Sequence, residues 1–343
     1  MKEQVKQAIN PHLTILLVIR NEEAYITRLL DKLLNQKKQG FTMELIVVDG
    51  QSSDKTASIV KMYSEKYTEV QLLENQGRTL PIGWNLGIKH AVGDYILRID
   101  GHTTIPDNFL EQYATIIKEN PEADVVGGII HSRGEGKQGK VNEYVYSHPF
   151  GVGNSKFRTL EGRHWEGYVD TVPYGAYKRE VFDEVGLFDE TLKRNEDIEF
   201  HKRMRDAGKT FFLSTTIAST YFVRPTLKGL IDKSLGDGMW NIIANRITPG
   251  ALGTRHKAPL FAFVMGLILL IFALFSNYAA ICLFVAVGLY TLLNAIASFG
   301  YVKKEGIRYW PLCMLTFFIL HFFRGFGSFK AFFTAVYWKK ARG

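Results

Sequence analysis

Apolar positions in the first hundred residues come in short unbroken runs, and between the runs they recur every three or four positions. Residues 13–19 (LTILLVI) read as a strand buried on both faces, and residues 43–49 (MELIVVD) read as a second. VQLLEN (70–75) and DYILRID (94–100) give a third and a fourth. The stretches at 22–36, 52–67 and 79–91 have helical spacing. Asn21 is placed to cap the first, and Ser52 and Asp54 stand near the start of the second. This alternation predicts a mainly parallel, doubly wound α/β sheet. In such sheets ligands bind beyond the carboxyl ends of the strands.

The pattern changes in the last third. Leu227, Leu230, Ile231, Leu235, Met239, Ile242 and Ile243 recur at helical spacing, with Lys228, Asp232 and Asn241 among the polar positions. That predicts an amphipathic helix lying at a membrane surface. Between Lys257 and Lys303 there follow 45 residues without a charge. One helical span needs ~20 apolar residues. The run therefore predicts two spans, about 258–276 and 279–302, turning at Ser276, Asn277 and Tyr278. A third apolar segment, about 309–338, either crosses again, placing Lys339, Lys340 and Arg342 on the far side, or forms a re-entrant or interfacial pair. The expected organisation is a soluble domain at 1–225, an interfacial helix and linker at 226–257, and a membrane region at 258–343.

Charge sharpens this division. The 343-residue chain carries a net +8, but residues 1–250 hold 32 Lys+Arg against 33 Asp+Glu, and residues 251–343 hold ten against one. Basic charge gathered around apolar segments points to an anionic membrane surface and not to nucleic acid. Arg255 and Lys257 precede the first span, and Lys303, Lys304 and Arg308 follow the second. Both ends of that hairpin lie on one side, which the positive-inside rule makes cytoplasmic. The expectation is a multi-pass cell-membrane protein with its N-terminal domain in the cytoplasm. The seven-residue run at 13–19 is read as a strand and not as a leader. The two cysteines, Cys282 and Cys313, both sit in apolar segments and form neither a disulfide framework nor a zinc pattern.

Candidate chemistry gathers at the strand ends. Asp49 and Asp100 close the second and fourth strands, and Glu22 stands just past the first. Three acids on one rim suit a divalent cation, a ribose hydroxyl pair or a base N–H. No G-x-G-x-x-G follows the first strand, which disfavours a nicotinamide-dinucleotide fold. His102, two residues beyond Asp100, is either a turn residue or a metal ligand. Glu196 and Asp197 in NEDIEF open a further helix, where acids also complement the helix dipole. GEGKQGK (134–140) and GVGNSKF (151–157) are Gly-rich and basic, and read as mobile loops.

The motifs VIRNEE, ELIVVDGQSSDKT, NQGRTLPIGWNLGI, GDYILRIDGHT and NEDIEFHKRMRDAG occur in this order. In them the chain resembles the family 2 glycosyltransferases over residues 11–225, and looks most like the membrane-bound enzymes of succinoglycan-type exopolysaccharide synthesis. The resemblance implies a GT-A fold, a Rossmann-like nucleotide-diphospho-sugar transferase domain, followed here by the interfacial helix and transmembrane helices. It implies that Asp49 contacts the nucleotide base, that Glu22 and Asp100 serve the nucleotide-sugar, and that Arg78 sits near its phosphates. The acid carried onto Asp197 is the general base, with Glu196 beside it. Where the family has Pro and Tyr in its first-strand motif, Val18 and Arg20 stand here. Its Asp-x-Asp is Asp100-Gly101-His102, an Asp-x-His set that would hold Mn2+ or Mg2+, with manganese the more tolerant of imidazole. The Gln-x-x-Arg-Trp of processive synthases is absent from SLGDGMW, which ends in Trp240.

The expected activity is inverting, metal-dependent transfer from a UDP-sugar to a polyprenyl-diphosphate-linked saccharide at the membrane. The alternatives are a processive polysaccharide synthase and a non-catalytic nucleotide-sugar-binding membrane scaffold.

Overall fold

A computed structural model describes residues 10–339. Four strands, β1 (His12–Ile19), β2 (Thr42–Asp49), β3 (Val70–Glu74) and β4 (Tyr95–Asp100), alternate with α1 (Ile26–Leu34), α2 (Thr56–Lys66) and α3 (Leu80–His90), and α4 (Phe109–Glu119) follows β4. Seven of the eight β1 residues are buried, as expected for a parallel strand covered on both faces. In α1, Ile26, Leu29, Leu30 and Leu33 form the buried stripe against the sheet.

The chain continues through β5 (Val125–Arg133), α5 (Gly136–Ser147), α6 (Pro149–Val152), α7 (Lys156–Thr159), β6 (Glu166–Val169), β7 (Ala176–Lys178), α8 (Glu180–Val185), α9 (Glu196–Asp206) and β8 (Phe211–Phe222). The sheet order is β3-β2-β1-β4-β7-β5-β8-β6. β1 pairs in parallel with β2 and β4, and β2 with β3; β7 runs antiparallel to both β4 and β5. The sheet is thus mixed, and the expected parallel pattern covers only its first half. The register sets Ile19 opposite Asp49 and Val18 opposite Asp100, so both acids flank the carboxyl end of β1.

Local readings differ in three places. α1 begins at Ile26, and Asn21 does not cap it. Asn21 instead adopts a left-handed backbone (φ +57°), and its side-chain oxygen accepts from Ser53 N–H at 2.8 Å, tying the loop after β1 to the loop after β2. The Gly-rich segments expected as loops are helical from Gly136 in the first case and include parts of α6 and α7 in the second. Asn241, read among the polar positions of the amphipathic helix, is buried.

The C-terminal part is helical: α10 (Leu227–Ile247), α11 (Thr254–Phe272), α12 (Asn277–Glu305), a short 3-10 turn (Ile307–Tyr309), α13 (Trp310–Ala331) and α14 (Ala335–Trp338). Three helical stretches, Thr254–Phe272, Asn277–Glu305 and Ile307–Ala331, are long and apolar enough to cross a membrane. The first two leave large apolar side chains such as Phe261, Phe275 and Phe284 exposed. α13 is one unbroken helix of 22 residues. It packs closely on α10: a Cβ on Gly238 would lie 2.1 Å from the carbonyl oxygen of Arg324, so only glycine permits that approach. Lys340 and Arg342 lie outside the described residues.

The fold has two compact units that interleave along the chain. The first comprises the chain up to His131, Leu160–Lys193 and Arg203–Tyr221. The second comprises Ser132–Thr159, Arg194–Lys202 and the chain from Phe222 onward.

Candidate active site

In the first unit a cavity of about 280 Å3 opens at the carboxyl ends of β1 and β4, lined by Glu22, Arg78, Asp100 and His102 among others. Four of the anticipated residues therefore share one wall. Gly101 allows this, because a Cβ there would fall 2.8 Å from Ile19 and 3.1 Å from the Glu22 side chain. Thr103 N–H donates to the Asp100 carbonyl at 3.0 Å, closing the turn that carries His102. His102 Nδ1 lies 3.0 Å from Glu22 Oε1. That carboxylate raises the imidazole pKa, against the effect of burial, and Asp100 adds to the rise. Arg78 is exposed with a left-handed backbone (φ +58°), and its Nε donates to the Gln51 side chain. Asp49 is buried at the end of β2, where its carboxylate accepts from Ser52 N–H (2.9 Å) and Ser52 Oγ (2.5 Å). Asp54, placed by the sequence near the start of this helix, accepts from Thr56 N–H at 3.0 Å where α2 begins.

Sequence reasoning missed Tyr174. Its hydroxyl donates to Asp100 Oδ2 at 3.2 Å and accepts from Thr103 Oγ1 at 2.9 Å. Burial, first, and the Asp100 charge hold the phenol pKa well above its ordinary value, so it stays a donor. Its backbone is left-handed (φ +44°), and its carbonyl accepts from Tyr113 Oη at 2.5 Å. The only sequence signal is an aromatic residue directly before Gly175.

Glu196 and Asp197 belong to the second unit. Glu196 is buried, whereas Asp197 is partly exposed and lines a cavity of about 520 Å3. The residue before them, Asn195, has a left-handed backbone (φ +61°). Its Nδ2 donates to the Asp237 carbonyl (3.1 Å) and to Asn241 Oδ1 (2.9 Å), fixing the start of α9 on α10. Thr248 Oγ1 donates to Glu199 at 2.6 Å, a second tie between α9 and the chain after α10. These ties explain why Asn241 is buried.

The family model for glycosyl transferase family 2 matches residues 14–186, half of the chain. The chain belongs to that family. Among curated relatives, this transferase is 30% identical over 233 residues to the dolichyl N-acetyl-alpha-D-glucosaminyl phosphate 3-beta-D-2,3-diacetamido-2,3-dideoxy-beta-D-glucuronosyltransferase of Methanococcus voltae, covering 66% of this chain and 71% of that one. It is 27% identical over 245 residues to the succinoglycan biosynthesis protein ExoA of Rhizobium meliloti, covering 70% and 72%. Among solved structures, the mannosyltransferase PcManGT from Pyrobaculum calidifontis, in complex with GDP-Man and Mn2+, covers 94% of this chain and 87% of its own with a TM-score of 0.61 and 17% identity. That likeness establishes the GT-A fold for this transferase.

Asp100 and His102 are of the donor types that Mn2+ accepts. Glu22 engages Nδ1 of His102, an arrangement in which an outer carboxylate fixes the ring and leaves the other nitrogen for a metal. Tyr174 occupies one oxygen of Asp100. Among the described residues no three His, Cys, Asp or Glu side chains are grouped so that they could hold a metal ion together.

Proposed function

We propose that this protein is an inverting glycosyltransferase. It moves a sugar from a nucleoside-diphosphate donor, a UDP-sugar, to a saccharide carried on a polyprenyl diphosphate at the cytoplasmic face of the membrane. The observation that carries the donor half is the shared cavity of Glu22, Arg78, Asp100 and His102 at the strand ends. Asp49, at the neighbouring strand end, contacts the base, and Arg78 neutralises diphosphate charge. Bound by Asp100 and His102, Mn2+ or Mg2+ would supply Lewis-acid stabilisation of the departing diphosphate. On the acceptor side, Asp197 accepts the proton of the attacking hydroxyl. The hydroxyl oxygen bonds to the anomeric carbon as the bond from that carbon to the diphosphate breaks. Glu196, the buried neighbour of Asp197 in the chain, would orient the site.

The lipid-linked acceptor is supported by the three membrane-length helices and by the Methanococcus relative, whose name carries a dolichyl-phosphate-linked sugar. The cytoplasmic orientation is supported by the basic residues at both ends of the α11–α12 hairpin. The test is incubation of the membrane-embedded protein with a panel of nucleotide-sugars and polyprenyl-diphosphate saccharides, with and without Mn2+, reading products by mass. One added sugar of inverted anomeric configuration, formed only with metal, is expected. Long polymer products would make it a processive synthase, and no product with any pair would leave a nucleotide-binding scaffold.

A further inference from the structure

The cavity that Asp197 lines holds more positive charge than a general base needs. Arg158, Lys233, Arg255 and Arg324 line it, against the two acids Asp197 and Asp237. Asp237 absorbs part of that charge: Lys233 Nζ lies 3.1 Å and Arg194 Nη1 3.2 Å from its carboxylate oxygens. Arg324 retains a buried Nε with no hydrogen-bond partner. It stands in α13, a helix of membrane length, where an ionised side chain is costly and usually marks a ligand or ion site. The Asp237 charge acts on that guanidinium but does not hydrogen-bond its Nε, and the open donor suits a second anion.

The same cavity has an apolar wall. Pro259 and Ala262 of α11 and Tyr290 of α12 line it. Those two helices otherwise display exposed apolar surface suited to hydrocarbon. Cations on one side and lipid-facing helices on the other match a molecule with an anionic head and an apolar chain. A free anion has no use for the apolar wall.

We propose that this cavity seats the phosphate or diphosphate of the acceptor lipid, with Arg158, Arg255 and Arg324 on the headgroup and the hydrocarbon leaving along α11 and α12. The proposal rests on the transferase reading only in naming that lipid as the acceptor. Asp197 in the same cavity selects acceptor lipid over bulk phospholipid, since the base must meet the hydroxyl that becomes glycosylated. Arginine suits the role because its planar fork makes paired bonds to phosphate oxygens.

The test uses the full chain in phosphatidylcholine nanodiscs with labelled farnesyl diphosphate as probe. Farnesyl diphosphate is expected to bind about tenfold or more tightly than farnesol, and inorganic pyrophosphate should compete weakly. Arg255→Gln and Arg158→Gln should each weaken it about tenfold, the loss expected for one charge-assisted contact, while UDP binding with Mn2+ stays unchanged. Arg324→Lys, which keeps the charge beside Asp237, guards against a folding defect and should weaken the probe more than it lowers the melting temperature. Farnesol binding as tightly as the diphosphate, equal displacement by phosphatidylglycerol, or parallel loss of UDP binding would each overturn the assignment. Absence of sugar transfer with the lipid site intact would instead sink the transferase reading alone.

Discussion

The two cavities are built in opposite ways. In the first unit, side chains are placed by strand ends and tight turns: Asp100 closes β4, Gly101 admits Glu22, and His102 follows within one turn. In the second unit, Asp197 and the basic residues come from helices scattered between Arg158 and Arg324, held by side-chain bonds such as Asn195 to Asn241. A site made by backbone geometry tolerates little change in sequence spacing. A site made by packed helices depends on partners far away in the chain. On the assignments proposed above, the first would take a polar, metal-bridged ligand of fixed shape, and the second one whose end lies in hydrocarbon.

That contrast can be broken most sharply at Asp197. Asp197→Asn should lower sugar transfer about 10²–10⁴-fold while nucleotide binding in the first unit is kept, as measured by single-turnover product formation beside UDP titration. Transfer at the wild-type rate would remove the base from the second unit. Next in size, Glu22→Gln should raise the Mn2+ concentration for half-maximal UDP binding by about 10–100-fold, as loss of an outer partner of a metal-bound histidine does. An unchanged metal response would make His102 a turn residue. Tyr174→Phe removes one neutral-to-charged bond on Asp100, and a severalfold weaker metal response is expected, with no change in farnesyl diphosphate binding.

The smallest effect concerns pH and Asp237. Burial pushes its carboxyl up, but Lys233, Arg324 and Arg194 outweigh burial and hold it below the ordinary value. A folded pKa below the unfolded one gives stability that is complete above the unfolded pKa, about 3.9, and is lost as pH falls through the folded value. Thermal melts of the wild type should therefore lose ground to Asp237→Asn on acidification below about pH 4. A constant gap between the two would show that the cations do not depend on that charge.

The first unit was legible because its information is local. Alternating runs mark β1 to β4, and the strand-end rule points to Asp49 and Asp100 without reference to any contact. The antiparallel turn of the sheet at β7 was not legible, since a three-residue strand carries no period. Asn21 has the side chain of a helix cap, and side-chain type alone does not report its left-handed backbone. The partnership of Tyr174 with Asp100 spans 74 positions, and Lys233, Arg255 and Arg324 looked like ordinary basic residues flanking or interrupting apolar helices. Asp197 was found by motif, but its cavity was not, because that cavity exists only once α9, α10, α11 and α13 are packed together.

The ties from Asn195 to Asp237 and Asn241, and from Thr248 to Glu199, have a consequence for modularity. A soluble fragment ending near residue 225 would keep the parallel strands and the nucleotide-facing rim, yet its Asp197 would hang from a helix stripped of its moorings. Such a fragment could report on the donor and never on turnover. If Asp197 is the base proposed above, catalytic competence is not portable: it stays tied to the hydrophobic helices and moves to another anchor only with α10.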